Sequence, residues 1–389
     1  MSCFLLKLTD MKKVFVGFSG GVDSSVAALL LKQQGYEVTG VYMKNWTQDL
    51  PGLRCPWQDD FNDAKRVAVQ LGIDFKVYDF QKEYKHLVVD YMLREYKAGH
   101  TPNPDIMCNQ EVKFGLFLET ALDDGADLIA TGHYARILRG PASQNQNAEA
   151  RMQNAAKTLH SSFSIPHSVS LAMAKDTSKD QTYFLYRASS KALKKTLYPI
   201  GDYLKSEVRQ LAAKHKLVTA DKKESMGLCF VGKVGIKDFL SQYVEGKPGK
   251  IIDQSGKVVG QHDGAIFYTI GQRHGLEVGG GLPYYVTDKD MKQNIVYVTT
   301  DLQDEKLWSR EVQLADIHWI RGEPQFPVLS SQFSVRTRHR APLITVEKLN
   351  KLSNGKWVAV LADDVRALTP GQSSVFYSGS ECLGGGVII

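Results

Sequence analysis

Along the first two hundred residues, short apolar runs alternate with longer stretches in which apolar positions recur every three to four residues. That alternation predicts a parallel sheet covered by helices. Residues 12–18, 37–43, 74–80 and 127–131 read as strands, and residues 22–34, 59–71, 83–97 and 112–124 as helices, the first two closed by Gly35 and Gly72. Helical periodicity returns over 181–188 and 203–215. Between them, residues 140–178 carry Ser, Gln and Asn and few large apolar side chains apart from those around Phe163, which predicts a partly disordered surface insertion. Beyond Asp221 the chain becomes glycine-rich, with short strands expected at 293–299, 333–338, 357–361 and 374–377. Their even spacing predicts a small barrel. The expected fold class is α/β: a Rossmann-like parallel-sheet domain over 1–218, a small α+β middle domain over 219–286, and a C-terminal β-barrel over 287–389.

Composition narrows the class. The 389 residues suit two or three domains with real cores, and 43% hydrophobic with 23% charged residues is ordinary for a soluble protein. No apolar run approaches the roughly 18 residues that span a bilayer. Phe4-Leu5-Leu6 is broken at once by Lys7 and Asp10, unlike a signal peptide, and Met11 is an alternative start. Five cysteines, none in a C-x-x-C pair, argue against a disulfide framework and a structural zinc site, so a cytoplasmic location is expected. Nothing demands more than a monomer. Lysine and arginine number 48 against 42 acidic residues, a balance of +6 that permits a polyanionic partner without requiring one.

The sharpest local signal is Gly17-Phe18-Ser19-Gly20-Gly21-Val22-Asp23-Ser24-Ser25, where a strand ends and a helix begins. Glycines admit close backbone approach, the serines offer hydroxyls, and the helix N-terminus offers free N–H groups, all suited to one anion. The lysine of a Walker A loop is absent. The alternative is a glycine-serine turn with a good helix cap. The pattern Ser-Gly-Gly-x-Asp-Ser resembles the PP-loop ATPases, which cut ATP between its α and β phosphates. In such a sheet the ligand sits at the carboxyl ends of the strands, which places Met43, Gly132 and His133 beside it.

Two cysteines stand out. Asp105 and Cys108 follow Asn103-Pro104 at an expected helix entrance, where the dipole would favour a thiolate and a carboxylate could serve as general base. Cys229 lies in a loop with Gly227 and Gly232 on either side. On the sequence alone each thiol reads more readily as a small packed hydrophobe than as a nucleophile.

The phosphate loop, Asn103-Pro-Asp-Ile-Met-Cys-Asn109, Thr131-Gly-His-Tyr-Ala135, Lys179-Asp-Gln-Thr-Tyr183, Gly227-Leu-Cys-Phe-Val-Gly232, Tyr268-Thr-Ile-Gly-Gln-Arg273, Thr369-Pro-Gly-Gln372 and Cys382-Leu-Gly-Gly-Gly386 occur in this order. Together they resemble the bacterial tRNA-specific 2-thiouridylase family, nearly end to end. The chain departs from the family pattern in its N-terminal extension, in the polar insertion after Arg139, and in Ser225-Met226 where a Ser-Thr pair is commoner.

The resemblance implies a chemistry. ATP with Mg²⁺ would adenylate the 2-oxygen of the wobble uridine of tRNAs for Lys, Glu and Gln. Cys229 would carry a persulfide from a sulfur-relay protein fed by a cysteine desulfurase, and Cys108 would resolve the product, leaving a Cys108–Cys229 bridge. Asp105 would be the general base. A variant in which Cys108 first frees hydrosulfide fits the same residues. Asn103, Pro104, Asp105 and His133 would meet the target base, and Lys179, Asp180, Gln181, Arg338, His339 and Gln372 correspond to tRNA contacts. The cationic cluster from Arg336 to Arg340 suits a phosphate track, or equally a solvated strand face. Other adenylating ligases of the PP-loop class and an RNA-binding protein with a regulatory nucleotide site are the alternatives.

Overall fold

The computed structural model describes residues 11–49, 55, 57–139, 169–223, 235–279, 281–324 and 333–389. Four of the expected strands form the first sheet. β1 (Lys13–Phe18), β2 (Glu37–Lys44), β3 (Asp74–Asp79) and β4 (Leu128–Thr131) pair in parallel with a short β7 (Thr196–Leu197), in the order β3-β2-β1-β4-β7. The central strands are buried on both faces, so β1 reads as the continuous apolar run Val14 to Phe18 and not as an alternation. Helix α1 (Val22–Gln33) packs Val26, Leu30 and Leu31 against Val14 and Val16, and α2 (Trp57–Leu71) adds Ala64, Val67 and Ala68 to the same core. The sheet order reverses between β1 and β4, and their carboxyl ends therefore diverge around an open crevice.

The helix expected over residues 112–124 begins earlier than the periodicity suggests. Asn103 accepts a hydrogen bond from the Asp105 amide at 3.2 Å and Pro104 occupies the first turn, so the helix starts at Pro104–Met107. It continues through a π-helical stretch, Cys108–Leu116, into Phe117–Asp123.

The middle unit is a four-stranded sheet in the order β10-β11-β8-β9, built from β8 (Gly249–Ile252), β9 (Val258–His262), β10 (Tyr285–Asp290) and β11 (Ile295–Thr299). The boundary expected at 286 falls inside β10, and β11, read from sequence as the barrel's first strand, pairs with β10 and β8 instead. At the other boundary, Thr219 and Lys222 still bind Ser25, Asp60 and Asp63 of the first domain.

The C-terminal barrel closes through β12 (Trp308–Trp319), β15 (Trp357–Arg366), β14 (Ile344–Lys351), β13 (Ser334–Arg336), β16 (Ser373–Ser378) and β17 (Glu381–Ile388), with β12 pairing back to β17. Closure removes the free edges of a short-stranded sheet. One edge of β17 is shared: residues 384–388 pair with β12, while Glu381 and Cys382 pair with β6 (Val169–Met173). β6 pairs in turn with β5 (Ala135–Arg139), so a hairpin from the first domain extends the barrel wall. This corrects the expectation of a disordered insertion up to residue 178. All five residues of β6 are buried, and so short a fully buried strand shows no period-two pattern. Residues 140–168 of that insertion lie outside the described residues.

Inside this junction Asp180, 1% exposed, accepts hydrogen bonds from the Ala174 amide at 3.1 Å and Thr182 Oγ1 at 2.7 Å, and pairs with Arg336 of β13 at 3.3 Å. Burial nevertheless holds its carboxyl above the ordinary range, against the pull of those donors. Arg336→Met should leave the carboxylate without its countercharge and lower stability by about 3–5 kcal/mol. The check is the urea midpoint at pH 7; an unshifted midpoint would show that the pair carries no part of the junction.

Candidate nucleotide and RNA site

The crevice at the ends of β1 and β4 holds a cavity of about 420 Å³. Its floor is the phosphate loop. Gly20 has φ +71°, and a Cβ there would lie 2.3 Å from the Asp60 carbonyl oxygen, so only glycine fits. Gly132 is pressed against the start of α1, where a Cβ would lie 2.5 Å from the Ser24 nitrogen. Ser24 Oγ donates to the Gly21 carbonyl at 3.2 Å and lies 3.3 Å from both the amide and the hydroxyl of Ser19. Ser25 is different. It donates to the Gly21 carbonyl at 2.8 Å and accepts from Thr219 at 3.0 Å, which makes it a brace under the loop. Phe18 is a core residue, its ring covering Gly40 of β2, whereas Val22 is buried and also lines the cavity. Met43 lines the cavity and closes over Gly17.

Among the described residues, five cationic side chains line the cavity, Lys113, Lys179, Lys205, Lys223 and Arg340, against two carboxylates, Asp23 and Asp60. Both carboxylates are engaged: Lys205 Nζ lies 2.7 and 2.8 Å from the Asp23 oxygens, and Lys222 Nζ lies 2.7 Å from Asp60. The surplus is positive and faces the helix N-terminus, an environment for a polyanion. The sequence reading missed Lys205. It carried a usable signal, because a lysine opening a helix (Lys205–Lys214) opposes the macrodipole and calls for another reason to be there.

His133 lies at the cavity wall, buried between the Phe114 and Tyr198 rings. Desolvation, reinforced by nearby Lys113, pushes its pKa far below the usual imidazole value, so the ring is neutral at pH 7. Nδ1 lies 2.8 Å from Thr131 Oγ1 and Nε2 lies 3.4 Å from Lys113 Nζ. An ammonium can only donate, which leaves Nε2 as acceptor and Nδ1 as the protonated nitrogen.

The expected RNA contacts separate into two groups. Lys179, Gln181 and His339 line the cavity with the phosphate loop. Gln181 exchanges hydrogen bonds with the Tyr134 backbone, fixing the segment after β4. His339 packs against Phe184 with ring centroids 4.4 Å apart and the planes tilted by 43°; burial, with Arg340 and Arg336 nearby, pushes its pKa down to about 4, so it is an uncharged ring at neutral pH.

The others are turned inward. Asp180 is the buried partner of Arg336. Arg338 donates through Nη2 to Thr369 Oγ1 at 2.9 Å, to the Ile270 carbonyl at 3.3 Å and to the Ala367 carbonyl, tying the middle unit to the barrel. Gln372 donates to the Thr101 carbonyl at 2.8 Å. The expected phosphate track is therefore corrected: in the cluster, Arg336 and Arg338 are committed to the protein and His339 is neutral.

Asn103, Pro104, Asp105 and Cys108 do not line this cavity. They sit on the helix whose later residue Lys113 does. Cys108 is 1% exposed, and burial pushes its thiol pKa up, with Asp105 adding to the rise and Lys113 opposing it. The thiolate expected from the helix dipole is thus overruled by desolvation. Cys229 lies outside the described residues.

Three family models match in succession: the tRNA methyl transferase HUP domain over residues 12–233, the tRNA methyl transferase PRC-barrel domain over 237–300, and the aminomethyltransferase beta-barrel domain over 309–388. The chain is thus a three-domain protein built on a nucleotide-binding α/β domain of the HUP type. A tRNA-specific 2-thiouridylase MnmA from Geobacillus thermodenitrificans (strain NG80-2) is 44% identical over 378 residues, covering 97% of this chain and 94% of that one. Its counterpart in Bacillus subtilis (strain 168) is 43% identical, covering 98% and 96%. The chain belongs to the MnmA family of tRNA-specific 2-thiouridylases. Among solved structures, the U34-tRNA thiolase NcsA from Methanococcus maripaludis aligns at 19% identity with a TM-score of 0.33, over 61% of this chain and 66% of that one, too loosely to carry an argument.

Gly132→Ala should lose at least a hundredfold of any ATP-dependent activity and about 1–3 kcal/mol of stability, because the new methyl displaces the start of α1. Nucleotide-dependent turnover and a urea titration of the same variant check it; wild-type turnover would show that the close approach is dispensable.

Proposed function

We propose that the protein thiolates the 2-position of the wobble uridine of tRNA at the expense of ATP. The observation that carries this reading is the cavity itself, in which a glycine-built anion cradle and a surplus of cations share one space with a neutral buried imidazole and a histidine from the barrel packed against Phe184. A triphosphate suits the first half. An unstacked base suits the second.

Uridine O2 attacks the α-phosphorus, the bond to the bridging oxygen breaks, and pyrophosphate leaves with the electron pair. The backbone N–H groups of the phosphate loop, Ser24, Lys113 and Lys205 hold the phosphates and balance the growing charge. Mg²⁺, held mainly by the nucleotide with one or two carboxylates, would neutralise further charge, and Asp23 and Asp60 are the carboxylates at hand. Among the described residues no cluster of three potential ligands forms a protein-only metal site.

The terminal sulfur of a Cys229 persulfide then adds to C2 and AMP departs with O2. Cys108 attacks the Cys229 sulfur, a Cys108–Cys229 disulfide forms, and the electron pair of the broken S–S bond stays on the sulfur of 2-thiouridine. A reductant reopens the disulfide. Asp105 is the base for the Cys108 proton. Because Cys108 is buried, this step requires the helix start at residues 103–108 to open, and RNA and a persulfide donor at that surface are the natural triggers. Release of hydrosulfide by Cys108 before attack uses the same groups. The substrates are tRNAs for Lys, Glu and Gln, and the setting is the cytoplasm, in keeping with the absence of any described helix long and apolar enough to cross a membrane.

With Mg·ATP but no sulfur donor, unmodified tRNA bearing a wobble uridine should release pyrophosphate and keep the AMP on the RNA until sulfur or water displaces it, and tRNA with cytidine at that position should release none. ADP and phosphate, or release indifferent to the base, would overturn the reading. Cys229→Ser should abolish 2-thiouridine, measured by nucleoside mass spectrometry, while sparing pyrophosphate release. Normal thiolation by that variant would remove the residue from the mechanism.

A further inference from the structure

The cationic run of the barrel leaves one member uncommitted. Arg336 is paired with Asp180, Arg338 is bonded to Ile270, Ala367 and Thr369, and His339 is held neutral against Phe184. Arg340 is exposed, donates no hydrogen bond and makes no ion pair among the described residues, and lines the same cavity as Gly21, Asp23 and Ser24. Its backbone has φ +63°, a conformation that costs a β-carbon residue free energy and that glycine or asparagine would adopt more readily. The loop is held from its N-terminal side, because Arg336 and Arg338, four and two residues before Arg340, are bonded to Asp180 and to Ile270 and Thr369. A strained, rigidly supported arginine from one domain thus faces the anion cradle of another.

We propose that Arg340 is a catalytic residue of the nucleotide site, its guanidinium contacting the phosphates of bound ATP, so that the docked barrel completes a site the α/β domain holds only in part. The inference rests on the ATP-dependent reading above, and it moves Arg340 from the RNA backbone to the nucleotide. A planar guanidinium matches two phosphate oxygens at once, a fit lysine does not reproduce. It forms no covalent bond; it stabilises charge as the α-phosphorus–oxygen bond to pyrophosphate breaks and the electron pair goes to the departing oxygen. A cation delivered by the domain that also carries His339 would couple RNA docking to ATP cleavage.

The test uses the full chain with Arg340→Gly and Arg340→Lys. Glycine suits the positive φ, so Arg340→Gly should melt no lower than the wild type, separating a folding defect from a chemical one. Calorimetric titration without RNA should show about tenfold weaker ATP binding by both variants and unchanged adenosine binding. At saturating tRNA, pyrophosphate release should fall by about a hundredfold or more, with the salt dependence of tRNA binding unchanged. Wild-type ATP affinity in Arg340→Gly would overturn the proposal. So would weaker tRNA binding with a salt slope reduced by about one and normal pyrophosphate release, which would return Arg340 to the RNA backbone. The titration requires no reaction, so it decides on Arg340 even if the wild type fails to release pyrophosphate in response to a wobble uridine.

Discussion

The shape of the candidate cavity depends on a constraint that lies outside it: the barrel is fastened to the α/β domain as if both were one piece. Strand β17 gives part of one edge to its own barrel and part to β6 of the first domain. Beside that seam, Arg336 and Asp180 are buried together, with the Tyr377 hydroxyl 3.2 Å from Thr182. Thr101, two residues before the cap of the Cys108 helix, donates its amide to the Pro370 carbonyl at 2.8 Å and accepts from Gln372, while its hydroxyl lies 3.2 Å from that of Thr269. All three domains thereby meet at one short loop. Interfaces between domains are commonly loose, but here backbone pairing and desolvated charge hold the barrel residues 339 and 340 at the rim of a cavity whose floor they do not build.

Within the cavity, the same desolvation acts differently on each group. It silences His133 and His339 as cations and Cys108 as a thiolate. Lys113, Lys179, Lys205 and Lys223 line the same cavity. The result is a contrast set by environment, uncharged rings beside basic side chains in one space. It would not follow from residue identity alone, since histidine beside arginine reads as a basic track when only the letters are known.

That contrast marks how far the chain was legible. The phosphate loop was, because Gly20 and the strand-to-helix switch are local features whose physics is complete within nine residues. So were Met43, Gly132 and His133, because parallel strands present their carboxyl ends together. Asp180, Arg338 and Gln372 were read as facing RNA and instead bond to other domains; their partners there are 156, 68 and 271 residues distant in sequence, for Arg336, Ile270 and Thr101 in turn. β6 was hidden for a related reason. Its pairing partners, β5 and β17, make it a strand, and its own five residues do not. Lys205 was legible in principle, as a charge at the wrong end of a helix dipole.

The hairpin of β5 and β6 has one more consequence. Its outermost rung pairs Arg139 with Val169, so both ends of the intervening polar segment are fixed in antiparallel register before that segment contributes anything. Closing a tether between two fixed points costs only about 0.6 kcal/mol for each doubling of its length. The fold is therefore almost indifferent to how much chain is spliced in there, and this edge of the molecule is where evolution or an engineer can lengthen, shorten or replace sequence while the seam between domains keeps its register.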